Sequence, residues 1–226
     1  MAGIEAFGAY VPLYRMKREE IARAWGGASQ GGERAIANYD EDSVTMAVAA
    51  AVDCLQDLNR DTIDAVYVAT TTSPYREKLA ATIVATALDL KRETATSDFT
   101  DSLRSGSIAL KAALDAVKAG SAKRVLVLVA DNRMGAPRSE FEQSFGDGAA
   151  AFLISNQNVA VTVDATYSHV DDILDFWRTR PEDLIKTGDD RLVSHDFVKT
   201  SEDRFVITEG YLSNVQEGVA CLLKRC

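Results

Sequence analysis

The chain has 226 residues, of which 46% are hydrophobic and 26% charged, a composition typical of a globular protein with a substantial core. Its formal net charge of −9 argues against nucleic acid or an anionic membrane surface as the main partner, because either would need a concentrated basic surface. No apolar run approaches the roughly 20 residues that span a bilayer, and the N-terminus lacks the pattern of a signal peptide, so we expect a cytoplasmic protein that binds neither nucleic acid nor membrane.

Predicted strands and helices alternate along the chain. In order, the patterns predict a strand at 3–10, a helix at 17–25, a glycine-rich loop at 26–32, a helix from Asp42 or Ser43 to about 58, a strand at 64–70, a helix at 79–88, a strand at 96–99, a helix at 104–119, strands at 124–130, 150–155 and 159–167, and an amphipathic helix at 209–223. Residues 171–205 are polar and irregular. Strand 124–130 is apolar on both faces, which predicts an α/β fold with a mainly parallel sheet covered by helices.

The helix at 104–119 is apolar around nearly its whole circumference. The residues that give it this character are Ile108, Ala109, Leu110, Ala112, Ala113, Leu114, Ala116 and Val117. A helix of this kind is buried on both sides, so we expect it to be fully buried between two sheets. The chain carries strands for about one sheet, and we expect another layer to be supplied from elsewhere.

Cysteine and histidine are scarce. Cys54, Cys221 and Cys226 are too few and too scattered for a disulfide framework or a zinc site. His169 and His195 are the two histidines of the chain, and neither lies near a cysteine in sequence. The sequence therefore predicts no metal and no cofactor, and surface positions are the simplest interpretation of both histidines.

Six short motifs follow one another in a characteristic order. They are Gly3-Ile4 with Gly8-Ala9-Tyr10-Val11-Pro12, Asp40-Glu41-Asp42-Ser43, Ser73-Pro74-Tyr75, Asp98 with Arg104-Ser105-Gly106-Ser107 and Ala109-Leu110, Gly146-Asp147-Gly148-Ala149, and Asp175-Phe176-Trp177-Arg178. Together they resemble the thiolase superfamily, and within it the archaeal and bacterial type of 3-hydroxy-3-methylglutaryl-CoA synthase. The resemblance spans residues 3 to about 215.

This resemblance implies a thiolase-like fold with αβαβα layers, made of two similar halves and usually dimeric. The chain would form a single domain over 1–226, mostly the first half, with the irregular segment 171–205 and a terminal helix. The implied substrate is an acyl-CoA, handled by a nucleophilic cysteine, a glutamate that moves protons, and a histidine and an asparagine of the second half. A thiolate suits this chemistry because a helix N-terminus stabilises its charge.

The sequence departs from the family at both catalytic positions. The family's cysteine falls on Leu103, which can neither ionise nor accept an acyl group, and its glutamate falls on Thr71, a poor base at neutral pH. Glu77 is a nearby substitute for the glutamate, although a capping or solvated role suits it better. The second half with its histidine and asparagine is not in the chain. We therefore expect no independent condensation and commit to no catalytic residue.

Five residues are candidates for binding the substrate: Ser102, Arg104, Ser105, Gly148 and Trp177. Each has a structural alternative. The two serines suit helix capping and backbone hydrogen bonds, Arg104 suits a solvated or interface position as well as a phosphate contact, Gly148 suits a tight turn, and Trp177 suits an anchor for its loop.

Three functions from different classes stay open. The chain is an acyl-CoA-handling subunit completed by a partner, or a silent structural subunit that forms a homo- or hetero-oligomer with a thiolase-like chain. Alternatively, it catalyses retro-aldol cleavage of a CoA thioester, which requires an acid or base but no acylated cysteine. Tyr10, Tyr75 and Tyr211 are the tyrosines available for that role, and the sequence singles out none of them.

Overall fold

The structure is a computed structural model that describes residues 2–135, 137–171, 197–198 and 206–225. The chain divides into two compact units. The first comprises Met1–Arg133 and Gln143–Thr162, and the second comprises Met134–Glu142 and Val163–Cys226. Trp177 and most of the segment 171–205 lie outside the described residues.

Sixteen helices and strands are described in the two units. In chain order they are β1 (Gly3–Tyr10), β2 (Tyr14–Lys17), α1 (Arg18–Trp25), β3 (Glu33–Ile36), α2 (Ser43–Cys54), β4 (Ala65–Ala69), α3 (Ala80–Ala87), β5 (Ala95–Phe99), α4 (Ser105–Ala119), β6 (Arg124–Asp131), β7 (Met134–Gly135), α5 (Glu140–Ser144), β8 (Gly148–Ser155), β9 (Val161–Thr162), β10 (Phe197–Val198) and α6 (Ser213–Leu223). A π-helical stretch, Val206–Leu212, precedes α6.

A six-stranded sheet organises the first unit, in the order β5-β4-β6-β8-β1-β9. β4 pairs in parallel with β5 and β6, whereas β8 is antiparallel to both β6 and β1. Consequently β1, β4, β5 and β6 all run in one direction. This mixed, mostly parallel sheet confirms the predicted α/β fold class.

The main core lies between the sheet and the pair of helices α2 and α3. Fully buried members include Leu126 and Leu128 of β6 and Leu153 of β8. Gly8 lets α2 lie directly on β1, because a Cβ at this position would be 2.6 Å from the carbonyl oxygen of Ala50 and would overlap the backbone nitrogen of Cys54. Burial of this apolar surface is the main stabilising contribution to the unit.

The helix α4 covers the opposite face of the sheet. Its buried side includes Leu114 and Val117, and Gly106 brings its first turn close to β6, since a Cβ there would lie 3.2 Å from a methyl group of Val129. On the outer side Ile108 is 45% exposed and Lys111 forms an ion pair with Asp115. The described residues therefore cover this helix on one face, and the predicted second covering layer stays a prediction.

Part of the sheet face beside α4 is also exposed. Gly8 points toward α2, so its neighbour Phe7 points to the opposite face, where it is 73% exposed. Val161 of β9 pairs with Ile4 on this face and is 53% exposed. We call Phe7, Ile108 and Val161 the open face.

Three helix ends are fixed as elementary capping rules predict. Asp42 caps α2 in a capping box with Thr45, and Gly120 ends α4 in the left-handed conformation with φ at 75°. The Asp98 carboxylate of β5 accepts hydrogen bonds from the backbone nitrogens of Ala80 and Ala81, at 2.6 and 2.8 Å. This carboxylate neutralises the positive end of α3.

The structure differs from the predictions in one hairpin and in three boundaries that shift by four residues or more. The hairpin of β2 and β3 was not predicted, because β2 is exposed along its length and lacks a core-facing alternation. The strand predicted at 159–167 is reduced to Val161–Thr162, and the helix predicted to reach 58 ends at Cys54. The regular part of the last helix begins at Ser213, after the π-helical stretch. No helix in the described ranges is both long and apolar enough to cross a membrane.

Candidate functional site

The ends of the co-directional strands meet along one edge of the six-stranded sheet, which we call the carboxyl edge. Asp131 at the end of β6 pairs with Gly148 at the start of β8, and Tyr10 at the end of β1 pairs with Ala149. The end of β4 pairs with the ends of β5 and β6. Open α/β sheets bind their ligands outside these strand ends, so this edge is the candidate site.

The two positions at which the resemblance predicts catalytic residues lie 32 residues apart in sequence, and both follow strands that end at this edge. Thr71 follows β4 directly and Leu103 lies in the turn after β5. The turn begins with Asp101 in the left-handed region at φ 62°. The Leu103 side chain is 62% exposed at the start of α4. An exposed leucine at this point offers no group that could form a bond with an acyl carbon.

The two serines of the turn are occupied by the backbone. The hydroxyl oxygen of Ser102 accepts a hydrogen bond from the Arg104 backbone nitrogen at 3.1 Å, and the Ser105 hydroxyl donates to the Ser102 carbonyl at 2.6 Å. Ser105 is also buried, at 4% exposure. These bonds match the structural alternative that the sequence offers for both serines. Arg104 is exposed beside them.

A group of three threonines surrounds the carboxylate of Asp131, and we call these four residues the hydroxyl cluster. Asp131 Oδ1 accepts hydrogen bonds from the hydroxyls of Thr70, Thr71 and Thr72 at 3.0, 3.1 and 3.0 Å, and from the Thr71 backbone nitrogen at 2.7 Å. Thr70 is buried, and the other three members are half-buried. The cluster thus fixes the backbone immediately after β4.

Asp131 was not among the predicted site residues. Its partners are 59–61 residues away in sequence, so no local pattern connects them. One signal was present in the sequence, namely a lone carboxylate at the end of a strand that is otherwise almost entirely apolar.

Burial lowers the pKa of Arg133, which follows two residues after Asp131, and the nearby Asp131 carboxylate opposes that shift. The Arg133 guanidinium lies over the Phe145 ring at 4.2 Å.

A second titratable group lies at the β1 and β8 end of the carboxyl edge. The Tyr10 hydroxyl donates a hydrogen bond to Glu41, and this bond is the main reason why the pKa of Tyr10 is raised. Asp147 accepts a hydrogen bond from the Ala37 backbone nitrogen at 2.7 Å. Burial raises the pKa of Asp147, against that hydrogen bond and the nearby Arg34. Gly148 is close to β1, since a Cβ there would lie 3.2 Å from the Tyr10 carbonyl oxygen.

The remaining sequence candidates are not members of the hydroxyl cluster, and two of them lie outside the described residues. Glu77 and Tyr75 are exposed in the loop that leads to α3. Tyr211 belongs to the second unit, where it is 68% exposed. Trp177 and His195 lie outside the described residues.

The two cysteines that the structure describes, Cys54 and Cys221, belong to different units. Burial raises the pKa of the Cys54 thiol to about 11, so it stays protonated at neutral pH. Cys221 belongs to the second unit, where its hydrogen bond raises the pKa of Tyr167. Among the described residues, no group of three His, Cys, Asp or Glu side chains could hold a metal ion.

Comparison with known proteins places these features in a family context. The family model described as 3-oxoacyl-[acyl-carrier-protein (ACP)] synthase III matches residues 97–170, which include the Leu103 turn, α4 and β6. The hydroxymethylglutaryl-CoA synthase of Methanocaldococcus jannaschii is 37% identical over 187 residues, which are 79% of this chain and 54% of that protein. The enzyme of the same name from Pyrococcus furiosus is 37% identical over 82% of this chain and 55% of its own length.

The fold has solved counterparts as well. The structure of an HMG-CoA synthase complexed with CoA superposes with a TM-score of 0.83 at 24% identity, covering 99% of this chain and 56% of that one. At this identity the match concerns the fold alone. The chain spans about half the length of the curated relatives it matches.

Proposed function

Because the chain belongs to the hydroxymethylglutaryl-CoA synthase family of the thiolase superfamily, we propose that it binds an acyl-CoA thioester at the carboxyl edge and works with a partner that completes the site. The observation that carries this proposal is the exposed Leu103 at the start of α4. The position is kept accessible, but its side chain cannot be acylated. We therefore assign the reacting nucleophile to the partner.

The family relationship supports an acyl-CoA ligand. The similarity to the two archaeal enzymes, both named as synthases of a CoA thioester, extends over about four-fifths of the chain. On this chain, Arg104 is an exposed cation beside the turn that could meet a phosphate of the nucleotide.

The open face supports a partner. Phe7 of β1, Ile108 of α4 and Val161 of β9 expose apolar side chains on the side of the sheet that α4 covers. Exposed apolar patches of this kind mark interaction surfaces. A thiolase-like layer, either from a second copy or from a different chain, would cover the patch and supply the missing catalytic groups.

The intact mass of the purified protein and of any co-purifying chain tests the proposal, before and after incubation with acetyl-CoA or acetoacetyl-CoA. We expect no acyl adduct on this chain and an adduct on the partner. The Leu103→Cys variant should gain an acetyl group, because its thiolate would be stabilised at the N-terminus of α4. Val52→Cys is the matched control, since Val52 is 44% exposed on α2 at the other face of the sheet.

Other results would contradict the proposal. An adduct on a residue of the unaltered chain would show that another side chain has replaced the cysteine, and peptide mapping would identify it. Equal acetylation of the Leu103→Cys and Val52→Cys variants would show that the turn does not hold acyl-CoA. If neither chain is labelled and no acyl-CoA binds, the silent structural subunit is the correct function.

One observation favours retro-aldol cleavage as the second candidate. Of the three tyrosines considered for that chemistry, Tyr10 lies at the carboxyl edge with its hydroxyl bonded to the Glu41 carboxylate. A phenol and a carboxylate in this arrangement can pass a proton from a substrate hydroxyl to the protein. Release of a shorter acyl-CoA together with an aldehyde or ketone from a β-hydroxyacyl-CoA, with no acyl-enzyme, would favour this function over the first.

A further inference from the structure

The hydrogen bond between Thr71 and Asp131 in the hydroxyl cluster has a fixed direction. An ionised carboxylate accepts hydrogen bonds and donates none, and each threonine hydroxyl carries a single proton. The hydroxyls of Thr70, Thr71 and Thr72 all lie within hydrogen-bond distance of Asp131 Oδ1. The Thr70 and Thr72 hydroxyls are also 3.3 Å apart, so either can donate to the other. Among the described residues, the hydrogen bond found for the Thr71 hydroxyl is the one that it donates to Asp131. Each hydroxyl oxygen can in addition accept a hydrogen bond from another group.

Two of the three hydroxyl oxygens already use that capacity. The Thr70 oxygen accepts a hydrogen bond from the Thr72 backbone nitrogen at 3.0 Å. The Thr72 oxygen accepts one from the Asn132 backbone nitrogen at 3.1 Å. Among the hydrogen bonds found in the described part of the chain, none is donated to the hydroxyl oxygen of Thr71. Thr71 is half-buried and hence within reach of a ligand at the carboxyl edge.

From this arrangement we infer that Thr71 is a binding residue for a hydroxyl group on the acyl chain of the bound thioester. The ligand hydroxyl donates to Thr71 Oγ1, and Thr71 in turn donates to Asp131. A keto oxygen at the same point would find no donor, because the Thr71 proton is held by the carboxylate. Asp131 is a positioning residue that sets this preference without touching the ligand. The inference rests on the proposed binding of acyl-CoA at this edge and narrows its substrate class to hydroxyacyl thioesters.

Three CoA esters of equal chain length test the inference by isothermal titration of the full chain with any co-purifying partner. They are 3-hydroxybutyryl-CoA, butyryl-CoA and acetoacetyl-CoA, which carry a hydroxyl, no oxygen and a keto oxygen at the same carbon. We expect the hydroxy ester to bind about fivefold more tightly than butyryl-CoA, as one added hydrogen bond predicts. The keto ester should have no such advantage.

Four variants separate recognition by Thr71 from a general effect on the fold. Thr71→Val removes the acceptor and should bring the ratio of the hydroxy to the butyryl ester to about one, while Thr71→Ser keeps the hydroxyl and should preserve the ratio. Asp131→Asn weakens the hydrogen bond from the Thr71 hydroxyl, so that this hydroxyl can donate to a keto oxygen instead. The hydroxy ester should therefore lose its advantage over the keto ester. Thr82→Val is the control, because Thr82 lies exposed on α3 and bonds Thr96 instead.

The possible outcomes distinguish this inference from the function on which it rests. If all three esters bind equally to the unaltered chain, the hydroxyl preference is wrong and binding of acyl-CoA stands. If Asp131→Asn weakens all esters by the same factor, Asp131 has only a structural role and the assigned positioning is wrong. If no CoA ester binds at all, the proposed function fails, and the inference fails with it.

Discussion

Two aspartates at the carboxyl edge have opposite surroundings. Asp131 Oδ1 accepts four hydrogen bonds from Thr70, Thr71 and Thr72. Asp147 accepts one at Oδ2 from the Ala37 backbone nitrogen, whereas its Oδ1 is buried and has no hydrogen-bond partner among the described residues. A buried polar atom without a partner destabilises the fold. The two carboxylates should therefore respond differently to removal of their charge.

We predict that Asp147→Asn stabilises the protein at neutral pH by about 1 kcal/mol, because a neutral amide is less costly to bury than a carboxylate. Burial raises the pKa of Asp147 in the folded state above its usual value of 3.8. Its contribution to stability is therefore fully present below that value and is lost as the pH rises through the raised pKa. The stabilisation by the amide should accordingly vanish at about pH 3.

Thermal unfolding of both proteins across this pH range measures the effect. The control is Asp57→Asn, an exposed position where the midpoint of unfolding should hardly move. Destabilisation of the Asp147→Asn variant at neutral pH would mean that Asp147 needs its charge in the fold, contrary to the prediction.

At the level of elements, the close approach of α2 to β1 depends on the absence of a side chain at Gly8. We predict that Gly8→Ala destabilises the protein by about 3 kcal/mol, because the added Cβ meets backbone atoms of Cys54 and Ala50 that cannot rotate away. Chemical denaturation measures the loss. Gly27→Ala is the matched control, since a Cβ there meets nothing within 4 Å, and an equal loss in both variants would refute the steric explanation.

The elements themselves were largely predictable from sequence, and the reasons are local. β6 is a continuous apolar run, α2 begins at the Asp42 cap, and α4 ends at Gly120. The hairpin of β2 and β3 shows no such signal, because its exposed residues carry no core-facing pattern. A short exposed strand is stabilised by backbone pairing, which leaves little trace in the choice of side chains.

The candidate site was predictable only in part, for a similar reason. The positions of Leu103 and Thr71 follow from a resemblance, and their meeting at one edge follows from parallel pairing of β4 and β5. The role of Asp131 depends on hydrogen bonds across about 60 residues of sequence. Such contacts are made by the fold and have no period or spacing that a single sequence displays.

For the whole molecule, the open face should determine the state of association. We predict that Phe7→Thr weakens binding to the partner, or to a second copy, by about tenfold or more, since large apolar side chains dominate interface energies. Threonine suits a strand, so the midpoint of thermal unfolding should change little. Sedimentation velocity over a range of concentrations measures the effect.

Val52→Ala is the control for this experiment, because it removes apolar surface from α2 at the other side of the sheet. It should leave the association unchanged. An unaltered chain that sediments as a monomer, with no partner and no response to Phe7→Thr, would show that the open face needs no cover.

The carboxylate of Asp98 has a consequence beyond the capping of α3. It holds the backbone of Ala80 and Ala81, while Asp131 holds the other end of the same connection at Thr71. Thr72 is also bonded to Asp131, so the seven residues 73–79 form a loop whose two ends are fixed to β5 and β6, the strands that flank β4. Mutations can accumulate in such a loop over generations without disturbing the folding of the strands. In descendants of this protein we expect the loop to diverge first and to adapt an unchanged framework to new ligands.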